Sequence, residues 1–91
     1  MDSFEWEEQK NKQNQKKHQV SFELSQYAFK DPNRVIAKDI DHSEKEARYF
    51  CFGKVKGKVL TVRFTYRNPC IRIFGAGYWR KGAKIYAKAN R

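Results

Sequence analysis

The apolar residues of this chain change their spacing twice, and the changes divide it into three parts. Up to about residue 30 they are sparse and helically spaced. Phe4 and Trp6 stand in an acidic stretch (Asp2, Glu5, Glu7, Glu8), and from there to Lys17 the chain is Lys, Gln and Asn without Gly, Pro or β-branched residues. Acids at the front and lysines at the back suit a helix dipole, which predicts a helix over Glu7–Lys17. Its surface is polar over most of its area, so tertiary contacts must hold it, with Phe4 and Trp6 docking its start on the core. Ser21 then occupies an N-cap position. Phe22, Leu24, Tyr27, Ala28 and Phe29 predict a second, short amphipathic helix that Asp31-Pro32-Asn33 ends.

Beyond Pro32 the period drops to two. Arg34–Lys38 predicts a first strand, 39–46 a polar loop, Arg48–Phe52 a second strand, Gly53–Gly57 a turn and Lys58–Arg67 a third strand. In that third strand Leu60, Val62, Phe64 and Tyr66 alternate with Thr61, Arg63, Thr65 and Arg67, giving one core face and one basic face. Asn68-Pro69 turns the chain into Cys70–Phe74, where Ile71 and Ile73 face the core and Arg72 points away, and Gly75-Ala76-Gly77 ends that strand. From Trp79 to Asn90 the spacing returns to helical, with Ala83, Ile85, Tyr86 and Ala89 on the inner side. The expectation is an α+β fold with two N-terminal helices, a four-stranded antiparallel sheet and a C-terminal helix, as a single domain over residues 1–91.

Composition adds exclusions. With 40% hydrophobic and 15% aromatic residues the chain can bury a core despite its charge. It shows no apolar run of membrane-spanning length and no basic-then-apolar leader, so the expected location is cytoplasmic, with no membrane partner. Cys51 and Cys70 have no CxxC spacing and no histidine cluster nearby, which predicts two buried thiols, no metal site and no cofactor.

Charge changes the picture more. All ten acidic residues lie in the first fifty positions beside nine basic ones, whereas Cys51 to Arg91 carries eleven Lys and Arg and no acid, for a net charge of +10. Such asymmetry is the footprint of polyanion binding. Alternation puts Arg63, Arg67 and Arg72 together on the non-core sheet face, where three guanidiniums fit phosphate. The Gly75–Gly82 segment matches neither GxGxxG nor the phosphate-binding loop, because Ala83 stands where the lysine must be. Its Tyr78 and Trp79 instead offer stacking faces, and Arg80 and Lys81 offer charge, the chemistry of single-stranded RNA contact; Lys84 continues the basic stretch.

Metal-free RNA cleavage needs a base for the 2′-OH proton, an acid for the leaving 5′-oxygen and cations for the charged phosphorane. His42 with Glu46 offers an acid–base pair in the polar loop. Blander roles stand beside these: a solvated outer face for the arginines, a core position for Trp79, an ion pair of Glu46 with Arg48, and a helix C-terminal cap for His18.

Several motifs in register carry a resemblance. Phe4-Glu5-Trp6 with Lys10, Asn14, Lys17-His18, Val20 and Phe22-Glu23 resembles the N-terminal signature of BrnT toxins. The likeness continues through His42-Ser43, Glu46, Arg48-Tyr49, Gly53, Gly57-Lys58-Val59-Leu60, Thr65, Arg67 and Ile71-Arg72-Ile73, and so spans about residues 4 to 86. The resemblance implies a RelE-like fold and a metal-independent endoribonuclease that cuts RNA and halts translation. It also implies a BrnA-like ribbon-helix-helix antitoxin, assembled with the toxin as a heterotetramer that meets operator DNA only through the antitoxin. Gly75, Gly77 and Gly82 stand where the family often has Ser, Arg and Glu, while Tyr86 matches.

On this reading Arg67, Arg72, Arg80 and Lys81 hold the scissile phosphate and Tyr78 or Trp79 stacks a base. Arg63 and Lys84 are further RNA contacts, and His42, Glu46 and Tyr86 are candidate acid–base groups. Two alternatives remain at this point, a catalytically inactive toxin-like corepressor that only binds the antitoxin and a non-catalytic RNA-binding module.

Overall fold

The computed structural model describes residues 3–91; Met1 and Asp2, the latter the first acid of the N-terminal stretch, lie outside the described residues. Five strands form one mixed sheet: β1 (Ser3–Glu5), β2 (Val35–Lys38), β3 (Tyr49–Val55), β4 (Lys58–Arg67) and β5 (Cys70–Gly77), in the order β1-β5-β4-β3-β2. Three helices accompany them: α1 (Glu8–His18), α2 (Phe22–Ser25), which runs on into a 3₁₀ stretch over Gln26–Lys30, and α3 (Arg80–Ala89). All strand neighbours are antiparallel except β1, which lies parallel to β5 with Phe4 beside Ile71 and Glu5 beside Arg72.

The expected four-stranded antiparallel sheet is therefore corrected to five strands of mixed direction. The missed strand is the three-residue β1. Its Phe4 was expected to dock a helix and does reach the core, its ring 5.2 Å from that of Phe29, but it does so from an extended segment paired to a sheet edge. The second predicted helix is also shorter, one α-helical turn followed by 3₁₀ geometry. Ser21 Oγ accepts a hydrogen bond from the Leu24 amide as an N-cap, but Ser25 Oγ donates back to the Ser21 carbonyl, which competes with regular helical propagation.

Register sorts the side chains into two faces. Tyr49, Cys51 and Gly53 of β3 lie beside Phe64, Val62 and Leu60 of β4, with Ile71, Ile73 and Ala76 of β5 completing this face. The core sits here, under α1, α2 and the 3₁₀ stretch, with Phe22, Leu60, Val62, Phe64 and Val20 sealed from solvent. Burying side chains of this size contributes roughly 1.5–3 kcal/mol each. β3 passes straight through Gly53, where a turn was expected, because a Cβ there would run into the Ala28 carbonyl of the 3₁₀ stretch lying flat on the strand. The turn is only Lys56-Gly57, both at positive φ (53° and 82°), as a tight two-residue hairpin requires.

The opposite face, predicted to be basic, is half covered. α3 packs on it so closely that Gly82 lies against Thr61 and Phe52 with no room for a Cβ, and the loop before β3 covers Thr65, whose hydroxyl donates to the Ala47 carbonyl. Thr61 and Thr65 are consequently buried, and Tyr66, expected in the core, is 55% exposed, with its ring against those of Tyr49 and Phe64.

α1 is held in an unusual way for a helix, by amides. Its fully or nearly buried side chains are Asn11 and Asn14. Asn11 Oδ1 accepts from the Phe22 amide at 2.8 Å while its Nδ2 donates to Glu23 at 2.8 Å. Asn14 acts as an extra strand rung: Nδ2 donates to the Ala76 carbonyl at 2.9 Å and Oδ1 accepts from the Ala76 amide at 3.2 Å, on the stretch of β5 that β1 is too short to cover. This satisfies backbone groups that burial would otherwise leave costly.

Candidate RNA-binding cleft

Where α1, β5 and the start of α3 meet, the chain encloses a cleft of about 340 Å³. Lys10, Lys17 and His18 reach it from α1, Arg48 from the residue before β3, Arg63 from β4 and Trp79 from the residue before α3, with Phe74 and Gly75 of β5 at its floor. Among the described residues no carboxylate lines it. Crowded cations need something to sit against, and the Phe74 ring provides it: the Arg48 guanidinium lies 4.4 Å and the Lys10 ammonium 5.7 Å from its centroid, where the negative ring face attracts them. Phe74 is presented by a register shift in β5, opposite Arg63 and Phe64, that inserts it between residues paired with β4.

Arg48 is fixed by the loop before it. Ser43 Oγ accepts from the Arg48 amide at 2.9 Å and donates to the Asp39 carbonyl at 2.6 Å, closing the loop on itself. Trp79 is fixed by the absence of a side chain below it, since its ring lies on Gly77, where a Cβ would come within 2.6 Å. The rings of Trp79 and His18 meet edge to face, with centroids 5.1 Å apart and planes at 74°. The three glycines of the 75–82 segment divide: Gly77 makes room for Trp79 and Gly82 for the sheet, and only Gly75 opens to the cleft, where an added Cβ would find Arg63 Cδ as its nearest carbon at 3.9 Å.

A second groove, of about 670 Å³, continues from the cleft along the same face. Phe50, Phe52 and Ile85 make its apolar floor, Arg80 and Lys81 stand at its rim, and Arg63 and Trp79 belong to both depressions. A hollow of similar size beside Tyr27, Pro32 and Val55, near the β3–β4 hairpin, contains only Asp31 as an acid, and that carboxylate is already engaged.

The predicted site residues separate on this map. Arg63, Arg67 and Arg72 do share the non-core face, as alternation requires, but carboxylates from the first half of the chain neutralise two of them. Arg67 Nη2 lies 3.2 Å from Glu46 and Arg72 Nη1 lies 3.0 Å from Glu5. Arg63 has no ion-pair partner among the described residues. Glu46 pairs with neither His42 nor Arg48; His42 Nδ1 instead faces Asp39 at 3.0 Å, and Asp39 is buried. Tyr86 lies toward the other end of α3, where its hydroxyl donates to Asp31 at 2.6 Å. That bond, aided by burial, pushes the Tyr86 pKa up. Burial works to raise Asp31 in turn, but hydrogen bonds from Tyr86, the Lys54 amide and the Asn33 amide outweigh it and hold Asp31 below the usual carboxylate range. Tyr78 lies under the Lys58 ammonium, and Lys84 projects from α3 outside both depressions.

Burial pushes Cys51 up to about 12, and burial with the neighbouring Glu5 raises Cys70, so neither free thiol is poised as a nucleophile. Among the described residues no cluster of His, Cys, Asp and Glu is arranged to hold a metal ion, and no helix is long and apolar enough to cross a membrane.

A family model described as the BrnT ribonuclease toxin of type II toxin–antitoxin systems matches residues 6–82, most of the chain. The chain belongs to the BrnT family. Comparison with curated proteins gave no match. Membership makes the protein a ribonuclease toxin by family and implies an antitoxin partner. Sequence reasoning had missed Lys10, Arg48 and Phe74 as site residues, although Lys10 and Arg48 both stand in the motifs that carried the resemblance.

Proposed function

We propose that this BrnT protein is a metal-independent endoribonuclease, one toxin domain over residues 1–91, that cuts RNA in the cytoplasm and so inhibits translation. The observation that carries this reading is the convergence of Lys10, Lys17, Arg48 and Arg63 on one cleft lined by no carboxylate among the described residues, beside the partly exposed Trp79. Cations preorganised in a partly enclosed site stabilise the charge that grows on a phosphorane, and an aromatic face accepts an unstacked base. Arg80 and Lys81 extend the same positive path along the neighbouring groove and contact the flanking phosphates. In this assignment Arg67 and Arg72 serve chiefly as ion-pair partners of Glu46 and Glu5, and Tyr86 as an anchor of α3.

The partner is a BrnA-like ribbon-helix-helix antitoxin. It forms a heterotetramer with the toxin and makes the contacts to operator DNA. The family supplies the antitoxin, and the net charge of +10 suits an acidic neutralising segment. The test is direct: purified protein degrades RNA in the presence of EDTA, and Arg80→Ala loses most of that activity. Intact RNA after treatment with the wild type would overturn the enzyme and favour a toxin-like protein that only occupies its antitoxin.

A further inference from the structure

Cleavage by a neighbouring 2′-OH requires a group that takes up its proton. The acid–base candidates expected from the sequence are all engaged elsewhere, His42 with Asp39, Glu46 with Arg67 and Tyr86 with Asp31. Inside the cleft, the ammonium groups of Lys10 and Lys17 and the guanidinium groups of Arg48 and Arg63 belong to classes that hold their protons at neutral pH. Gln13, Asn14, Phe74 and Trp79 do not titrate. Imidazole is the one side chain there whose chemistry exchanges protons in the physiological range, and the cleft contains a single one, His18.

The role first expected of His18, capping the end of α1, is filled by another residue. Gln19 takes the left-handed conformation (φ 56°), donates its amide to the Gln15 carbonyl and adds a side-chain bond from Nε2 to the Lys16 carbonyl. Neither ring nitrogen of His18 has a hydrogen-bond partner among the described residues, while the ring itself packs edge to face with Trp79, their centroids 5.1 Å apart. A half-buried imidazole with both nitrogens free, fixed in orientation and surrounded by cations, is suited to reaction and unsuited to structural support.

We propose that His18 is the general base of the ribonuclease reaction and Trp79 its positioning residue. The assignment rests on the cleft being where RNA is cut. A free imidazole nitrogen removes the 2′-OH proton as that oxygen attacks the adjacent phosphorus. The bond from phosphorus to the 5′-oxygen breaks, a water molecule gives that oxygen its proton, and the hydroxide left behind takes the proton back from His18. The products are a 2′,3′-cyclic phosphate and a 5′-hydroxyl, and no oxidant, reductant or metal enters. The charged groups that line the cleft with His18 are Lys10 and Lys17 on its own helix, Arg48 from the loop and Arg63 from β4; among the described residues β5 and the Trp79 segment bring none.

The experiment uses the full chain with a fluorescently labelled single-stranded RNA in EDTA. His18→Gln should cleave roughly 100-fold more slowly or worse, the usual weight of a general base, while its RNA binding and melting temperature stay at wild-type level. The wild-type rate should rise with pH, and that limb should vanish in His18→Gln and in His18→Asn. Trp79→Phe should keep most of the rate, and Trp79→Ala should lower kcat more than it raises KM. Cleavage by His18→Gln at the wild-type rate, or survival of the pH limb, overturns the assignment. If Arg63→Ala is inactive while His18→Gln is not, the cleft stands and His18 alone falls. If the wild type neither binds nor cuts RNA, the proposed function fails and His18 falls with it.

Discussion

Two ends of one sheet face carry arginines that look alike in the sequence and differ in space. At one end Arg67 and Arg72 each meet a carboxylate from the N-terminal half, Glu46 and Glu5. At the other Arg63 joins Lys10, Lys17 and Arg48 in a cleft that no acid among the described residues lines. The acid-free tail therefore does not translate into an acid-free surface, because folding brings β1 and the loop before β3 against the tail and spends two of their acids there. What remains positive is a smaller place than the sequence suggested, and a better defined one.

The largest effect that this contrast predicts is on activity. Arg63→Ala should reduce RNA cleavage by about 100-fold, in the range seen for loss of one transition-state donor, whereas Arg67→Ala should leave the rate near wild type. Steady-state cleavage of one RNA by both variants settles it, and equal losses would erase the distinction between the two ends. Next comes stability at the cleft's rim. Asn14→Ala removes both bonds to Ala76 and the one to the Val20 carbonyl, leaving buried backbone groups without partners. A loss of about 3 kcal/mol is expected in urea unfolding, from several buried polar groups at roughly 1–3 kcal/mol each with partial relief by water. A loss no larger than that of an exposed Gln15→Ala would mean that α1 is held by something else.

The same contrast shows what was legible beforehand. Strand alternation placed Arg63, Arg67 and Arg72 on one face correctly, because period-two patterning reports which side a residue faces. It does not report what the other elements bring to that side, and so Glu5 and Glu46 went unassigned as ion-pair partners of Arg72 and Arg67. β1 was hidden for a related reason: three residues with one apolar side chain carry no periodicity, and their strand character comes entirely from β5. α1 was placed within a residue at each end by its charges, but its anchoring was not, since buried Asn11 and Asn14 are indistinguishable in sequence from the solvated Gln and Asn around them. Trp79 could be proposed for stacking from its basic neighbours, while its seat on Gly77 depends on a contact two residues away that only the fold displays.

Tyr86 gives a smaller test of whether the site ends at the cleft. Tyr86→Phe should leave RNA cleavage unchanged and lower the melting temperature by several degrees, because the hydroxyl donates to the Asp31 carboxylate that also receives the Lys54 amide. A stable Tyr86→Phe protein with much reduced cleavage would return this tyrosine to the active site and undo the division of the face into two ends.

The smallest effect concerns pH and belongs to the neutralised end. The hydrogen bond from Arg72 holds the Glu5 carboxyl below the usual carboxylate range, against an opposing push from burial. A folded-state pKa depressed in this way adds stability above the unfolded value, about 4.3 for glutamate, and that stability is lost as pH falls through the folded value. Both partners are partly exposed and screened by solvent, so the contribution is modest. Asp31, also depressed, titrates in the same acid window and makes up another share of the slope. Melting temperatures followed from neutral pH into that window should therefore fall somewhat less steeply for Glu5→Gln than for the wild type, and added salt should narrow the gap. Identical slopes would mean that Arg72 does not depend on Glu5, and the line between a neutralised end and a reactive one would then have to be drawn at Glu46 alone.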